Sequence, residues 1–416
     1  MRSLMPKTDH FDIAKLRDDF PALSGTMNGK SLVFLDTAAS AQKPRAVIEA
    51  IGRTYESGYA NIHRGLYRYS QELTEAFEAV RVKVARFIGA ESENEIVFTR
   101  NATEGINLVA QSWGRAFLKA GDEVIVSVAE HHANIVPWQL LADQIGIVLK
   151  VIPVDAAGVL DMNAYTRALS GKTRLVAMAH ISNVLGTVNP VKEITVLAKA
   201  HNPDIAVLID GSQAVVHGAV NVRDIGCDFY VFTGHKLYGP TGVGVLYGRR
   251  EVLDSMPPYQ GGGDMIETVS FSGTVYKNAP YKFEAGTPAI AEIIGLGAAV
   301  DYMASIPVDS LAAYEQGLLD YTMKSLADID GLRIHGTARD KAAVVSFSVD
   351  KIHHSDIAMV LDQMGIAVRA GHHCAMPLME HLGVEGTVRA SIGLYTNKND
   401  IDELVKGLRK AKELLG

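Results

Sequence analysis

The sequence predicts an α/β protein, with a large domain on a mainly parallel seven-stranded sheet and a smaller α+β domain beside it. Three observations carry this. Between Glu95 and Tyr247, short apolar runs rich in β-branched residues recur seven times. Segments long enough for a helix separate most of them. After Pro288 the order changes to a helix-rich stretch, two strand-like runs and a closing helix.

The seven strand candidates, in order, are Glu95–Thr99, Glu123–Val128, Ile147–Ile152, Arg174–Ala179, Ile205–Asp210, Phe229–Phe232 and Val243–Tyr247. Apolar on both faces, they suit a sheet covered by helices on each side. The spacing predicts helices over Ala102–Leu118, Ile135–Gln144 and Val191–Ala200. Ahead of the sheet, Leu73, Phe77, Val80, Val84 and Phe87 fall on one face of a helix spanning Gln71–Phe87. Beyond it, Ala289–Ala327 reads as helical, with strands near Leu332–Ile334 and Ala343–Val349. A last helix carries Leu404, Val405, Leu408, Leu414 and Leu415. The Gly/Pro-rich stretches Met256–Gly263 and Ala285–Pro288 read as linker and loop. Residues 30–287 are expected to form the large domain, and 1–29 with 288–416 the small one.

Composition narrows the function. The 416 residues carry 40 Lys+Arg against 47 Asp+Glu, a net charge of −7, with 48% hydrophobic residues. No Lys/Arg block marks a nucleic-acid surface. The longest apolar run, Ile293–Val300, is far short of the roughly 20 residues needed to span a bilayer. Met1–Lys7 lacks the apolar segment of a secretory signal, and two cysteines, Cys227 and Cys374, fit a reducing compartment. The expectation is a cytoplasmic protein without membrane or nucleic-acid partners.

In an open parallel sheet, ligands bind beyond the carboxyl ends of the strands, so those ends are the places to look for chemistry. Asp210 ends one strand, where a carboxylate can pair with a cationic ring nitrogen or a metal, or cap the following helix. Lys236 follows a buried strand inside Thr233-Gly234-His235-Lys236-Leu237-Tyr238-Gly239. Partial burial suits a lysine to Schiff-base chemistry, while tethering a phosphate or carboxylate is the plainer reading. Asn101, Ala102 and Thr103 open a helix directly after a strand, a place that offers free N–H groups to a phosphate or needs only a cap. In Glu130-His131-His132-Ala133-Asn134, one histidine can stack on a flat ligand while the other packs structurally. A zinc site from His131, His132, His372, His373 and Cys374 is conceivable, but the pattern lacks HExxH and CxxC spacing. Cys374 follows Gly371-His372-His373 with Arg369 five positions before it, and Arg389 lies further on. That basic, glycine-containing setting suits a reactive thiol, whereas Cys227 reads as an inert buried one.

Five blocks then fall in a telling order: Glu130–Gln139, His180–Gly186, Asp228–Gly239, Phe283–Pro288 and Arg369–Leu378. Together with Leu35–Ser40, they make nearly the whole chain resemble a fold type I pyridoxal-phosphate enzyme of the class V aminotransferase group. The nearest resemblance is to group II, SufS-like cysteine desulfurases. That resemblance implies pyridoxal 5′-phosphate held by Lys236, with Asp210 on the pyridinium nitrogen, Gln213 on the phenolic oxygen and His131 stacked on the ring. It implies phosphate contacts from Thr103, Thr233, His235 and the Ala102 backbone, with Thr287 reaching the neighbouring subunit's phosphate in a homodimer. Ala102 stands where many relatives carry Thr, and Thr233 where Ser is common. Asn183, Arg369 and Arg389 are implied for the substrate carboxylate. The implied reaction converts L-cysteine to L-alanine, leaves a persulfide on Cys374, and supplies iron–sulfur cluster assembly through a SufE-like or SufU-like acceptor. Selenocysteine lyase activity in the same site is the near alternative, and a non-catalytic metal-binding scaffold the distant one.

Overall fold

The computed structural model describes residues 13–416, so the reading of Met1–Lys7 lies outside the described residues. The seven expected strands form one sheet: β1 (Ile96–Thr99), β2 (Glu123–Ser127), β3 (Val148–Ile152), β4 (Thr173–Ala179), β5 (Ala206–Asp210), β6 (Phe229–Thr233) and β7 (Gly244–Gly248). Their order is β1-β7-β6-β5-β4-β2-β3, and only β7 runs antiparallel to its neighbours. The reason is length. A parallel return needs a crossover of about a dozen residues or more, usually with a helix, and the short link Gly234–Val243 contains none. That link instead turns tightly at the carboxyl end of β6 and carries Lys236.

The expected helices form, with small shifts at their ends: Arg68–Phe87, Val136–Ile145 and Val191–His201. The one expected over Ala102–Leu118 is α-helical to Val109, passes through a π-turn at Ala110–Gly114 and ends at Phe117. Helices on both faces bury the central strands completely, as the unbroken apolar runs require.

A second sheet, β8 (Leu332–His335), β9 (Val344–Val349), β10 (Arg369–Gly371) and β11 (Thr387–Ser391), is antiparallel in the order β8-β9-β11-β10. A short parallel pair, Val33–Phe34 with Ile366–Ala367, ties the N-terminal region to it. Val33 and Leu35 share a core with Phe347, Leu361, Val388 and Leu404. The helix Ile290–Ala304, expected in the small domain, packs on Arg45–Glu56 and Arg68–Phe87 and joins the core under the large sheet. The next helix, Val308–Ala327, leaves it at 83° and adds Leu318, Leu319 and Leu326 to the small core. On this packing we propose that the two units meet at that bend rather than at residue 288. Among the described residues no single helix is long and apolar enough to cross a membrane.

Candidate active site

The carboxyl ends of β1, β5 and β6 open into a cavity of about 320 Å³, closed on its far side by β10, β11 and the segment after β10. Lys236, Asp210, His131, Thr103, Thr233 and His235 line it. So do Ala102, Asn183, Arg369, Arg389 and Cys374. Gln213 stands behind the wall, its Nε2 donating to the carbonyl of Ala38 at 2.9 Å. Thr287 lies in an exposed loop that lines a separate cavity.

Each side chain is placed by a local device. Asn101 caps the helix Ala102–Val109 by accepting from the Glu104 N–H at 2.9 Å, leaving the first N–H groups of the helix free toward the cavity. Gly211 lets the chain turn after Asp210, because any Cβ there would strike the Tyr230 ring. The Ser212 N–H donates to Asp210 Oδ1 at 3.0 Å and fixes its carboxylate. His131 Nδ1 accepts from the Ala133 N–H at 3.0 Å, which puts the ring proton of the neutral form on Nε2. Burial, reinforced by Lys236, lowers the His131 pKa to about 4, so the ring is uncharged at neutral pH.

Burial also lowers the Lys236 amine to about 8, with Asp210 pulling the other way. A sizeable neutral fraction near pH 7 to 8 suits an amine that must condense with an aldehyde or take a proton. Arg389 is buried against β9, where Nη1 donates to the Asn183 carbonyl at 2.8 Å. The Asn183 side chain in turn donates to the carbonyl of His373 at 2.9 Å. His373 and Cys374 both adopt positive φ, at 52° and 55°, so the chain bends sharply as it brings the exposed thiol to the cavity mouth.

Two residues without an assigned part in the sequence reading, Asp36 and Ser212, also belong here, as does His373, which that reading weighed only as a zinc ligand. Asp36 Oδ2 accepts from Arg369 Nη2 at 2.6 Å, and Asp36 Oδ1 lies 3.5 Å from Arg389 Nη2. The available signal was a lone carboxylate after the apolar run Leu32–Leu35. Among the described residues no group of three or more His, Cys, Asp or Glu side chains is gathered to hold a metal ion. His373 faces Thr387, with its Nε2 2.8 Å from that hydroxyl.

The cavity fits pyridoxal phosphate on its own atoms. Thr233 Oγ1 and Arg389 Nε are buried without a hydrogen-bond partner, and buried polar atoms are rarely left so. A phosphate oxygen would answer the first and a substrate carboxylate the second.

The chain matches the family model for class-V aminotransferases over residues 33–404. It is 50% identical over 408 residues to a cysteine desulfurase of Yersinia pestis (strain Pestoides F), covering 98% of this chain and 100% of that one. The cysteine desulfurase CsdA of Escherichia coli, solved in an S-sulfonic acid form, superposes with a TM-score of 0.91 at 41% identity over 98% of this chain and 100% of CsdA. A C-DES mutant holding glycine covalently linked to its PLP cofactor superposes at 0.80, with 25% identity over 94% and 98% of the two chains. With its fold, cavity and sequence in agreement, this chain belongs to the class-V aminotransferase family of pyridoxal-phosphate enzymes, among its cysteine desulfurases.

Proposed function

We propose that the protein takes sulfur from L-cysteine, releases L-alanine, holds the sulfur as a persulfide on Cys374 and delivers it to an acceptor protein for iron–sulfur cluster assembly. The observation that carries this reading is the sharing of one cavity by Lys236 and Cys374. An amine for imine exchange and a thiol for sulfur capture are the two groups that desulfuration needs and that simple transamination does not.

When bound, the cofactor supplies an aldehyde for the substrate amine and a ring that accepts the electron pair freed at Cα. Asp210, fixed by Ser212, keeps a proton on the ring nitrogen. The phosphate would sit at the free N–H groups before Glu104, with the hydroxyls of Thr103 and Thr233. His131, uncharged and held by Ala133, would cover the face of the bound ring. Arg389 and Arg369 orient the substrate carboxylate, and Asn183 holds Arg389 in place. Lys236 removes the α-proton and returns one later. The Cys374 thiolate attacks the substrate sulfur, forming an S–S bond as the Cβ–S bond breaks. That bond's electron pair stays with the carbon skeleton, which is protonated and leaves as alanine.

Thr287 lies away from this cavity, and Leu66, Val269, Phe271 and Val275 are exposed apolar side chains. Both facts support a homodimer in which a second copy brings its Thr287 to the phosphate. The short tether between Arg369 and Cys374 supports an acceptor of the SufE or SufU kind that comes to the thiol. A cytoplasmic setting accords with the free state of both cysteines.

The test is addition of L-cysteine to the yellow holoenzyme, following alanine release and the mass of the peptide containing Cys374. The reading expects that peptide to gain one sulfur atom and Cys374→Ala to stop cysteine turnover. A Cys374→Ala variant that released alanine at the parent rate would overturn it. Running L-selenocysteine in parallel separates the selenocysteine lyase alternative, which expects turnover to survive in that variant.

A further inference from the structure

A second cavity, of about 270 Å³, lies where the helices Ala214–His217 and Val308–Ala327 meet the segment leading into β9. It shares no lining residue with the first. Ile181, Val188, Val220 and Leu319 give it apolar walls. Glu315, 5% exposed, and Lys341, 8% exposed, line it with them. Glu315 Oε2 accepts from His217 Nδ1 at 2.9 Å, while Oε1 is buried with no hydrogen-bond partner. The Lys341 backbone is fixed by its antiparallel bridge to Thr187 and by the Ala342 N–H, which donates to the Gly186 carbonyl at 2.8 Å. Its amine donates to the Leu185 carbonyl, and among the described residues no carboxylate pairs with it. Burial without such a partner lowers the Lys341 pKa to about 7.

We propose that this cavity is a binding site for a zwitterionic α-amino acid with an aliphatic side chain, its carboxylate on Lys341 and its ammonium on Glu315. A lysine ammonium has three donors, and that of Lys341 has one engaged. Buried charges stay costly until they are paired and hydrogen-bonded. Here a cation without an anion and a carboxylate oxygen without a donor line the same space, yet they do not pair with each other. A simple anion would satisfy Lys341 and be repelled by Glu315, and a simple cation would do the reverse. A ligand with both signs a few atoms apart answers both. The Ile, Val and Leu walls then suit an aliphatic side chain. The site stands apart from the chemistry at Lys236, and the inference does not depend on which reaction occurs there.

The experiment is isothermal titration of the holoenzyme with L-leucine, with the cofactor's visible absorption followed in parallel. L-Leucine is expected to give a heat of binding that leaves the absorption unchanged and persists in Arg389→Gln. Lys341→Met and Glu315→Gln should each weaken that binding about tenfold, the worth of one charge-assisted hydrogen bond. L-2-Hydroxy-4-methylpentanoate, with a hydroxyl in place of the ammonium, should bind the parent about tenfold more weakly than L-leucine. The two variants act at opposite ends of the ligand, so the test survives if one of them fails to fold. No heat up to about 10 mM L-leucine overturns the proposal. So does a heat that both variants leave at the parent affinity, or one that Arg389→Gln alone abolishes. Equal affinity for the hydroxy acid overturns it as well.

Discussion

The backbone N–H of His132 donates to the carbonyl of Cys374 at 2.7 Å, so the loop that carries His131 also grips Cys374. The His132 imidazole adds a second hold, with Nε2 accepting from the Met376 N–H at 3.0 Å as the helix Met376–Leu382 begins. On the other side, Asn183 grips His373. The thiol is therefore mounted on a segment pinned at three points.

His132→Ala removes only the imidazole contact, worth about 1 kcal/mol. It is expected to slow alanine formation by about five- to tenfold, since reacting groups tolerate little misplacement. The cofactor's absorbance should stay as in the parent, and the rate at which iodoacetamide alkylates Cys374 should change. Parent-like values for both rates would show that the backbone contact alone fixes the loop.

Thr233 Oγ1 is buried and unpartnered. Replacing it by valine is expected to leave the cofactor-free protein as stable as the parent or slightly more so, because no hydrogen bond is lost. Cofactor affinity should fall about tenfold, the worth of one charge-assisted hydrogen bond. Differential scanning of the free protein and equilibrium titration with pyridoxal phosphate measure the two effects separately.

Arg81 is buried within the large unit, donating to Glu284 at 2.7 and 2.9 Å and to the Ile96 carbonyl at 2.9 Å, with its guanidinium over the Phe98 ring. Glu284 also accepts from the Phe98 N–H at 2.7 Å. Arg81→Met strands that carboxylate, also removes the 2.9 Å hydrogen bond from Arg81 Nε to Glu78 Oε2, and is expected to cost about 3–5 kcal/mol in denaturant unfolding. Adding Glu284→Gln removes the stranded charge and should recover part of the loss. A single variant within 1 kcal/mol of the parent would mean that the carboxylate reaches water.

Burial holds the pKa of His131, His180, His235 and His335 near 4, and that of His373 near 3, against an ordinary 6.5. Their folded values lie below the unfolded one. Between about pH 6.5 and 4 the unfolded chain therefore binds more protons, and stability falls as pH falls. Glu130, raised to about 7 by burial, and Asp400, also raised by burial, act in the opposite sense but are outnumbered. The melting temperature of the cofactor-free protein is expected to drop steadily from pH 6.5 to 4. A flat profile across that window would show that these rings are hydrated.

Much of this architecture was legible in the residues because the large sheet is buried on both faces, and such strands announce themselves as apolar runs. β10 and β11 were not read as strands. Each is short and holds an arginine, Arg369 or Arg389, so neither displays the apolar pattern. The helix Ile290–Ala304 was assigned by its place after Pro288, whereas its partners, Arg45–Glu56 and Arg68–Phe87, come from far earlier in the chain. At the site, His131, Asn183, Lys236 and Cys374, each from a recognisable block, share one cavity, while Thr287 from another block lines a separate one. Asp36 was overlooked as a functional group because its value depends on two arginines more than three hundred positions away, a relation that local spacing does not carry.

The parallel pairing of Val33–Phe34 with Ile366–Ala367 has a consequence for biosynthesis. On the ribosome, the large sheet can assemble once Gly248 has emerged, yet the segment bearing Asp36 must wait for strands made near the end of translation. Until then the wall that encloses Lys236 is missing. Closure of the cavity over Lys236 is thereby postponed to the finished polypeptide, and a product cut short before Arg369 would leave it open.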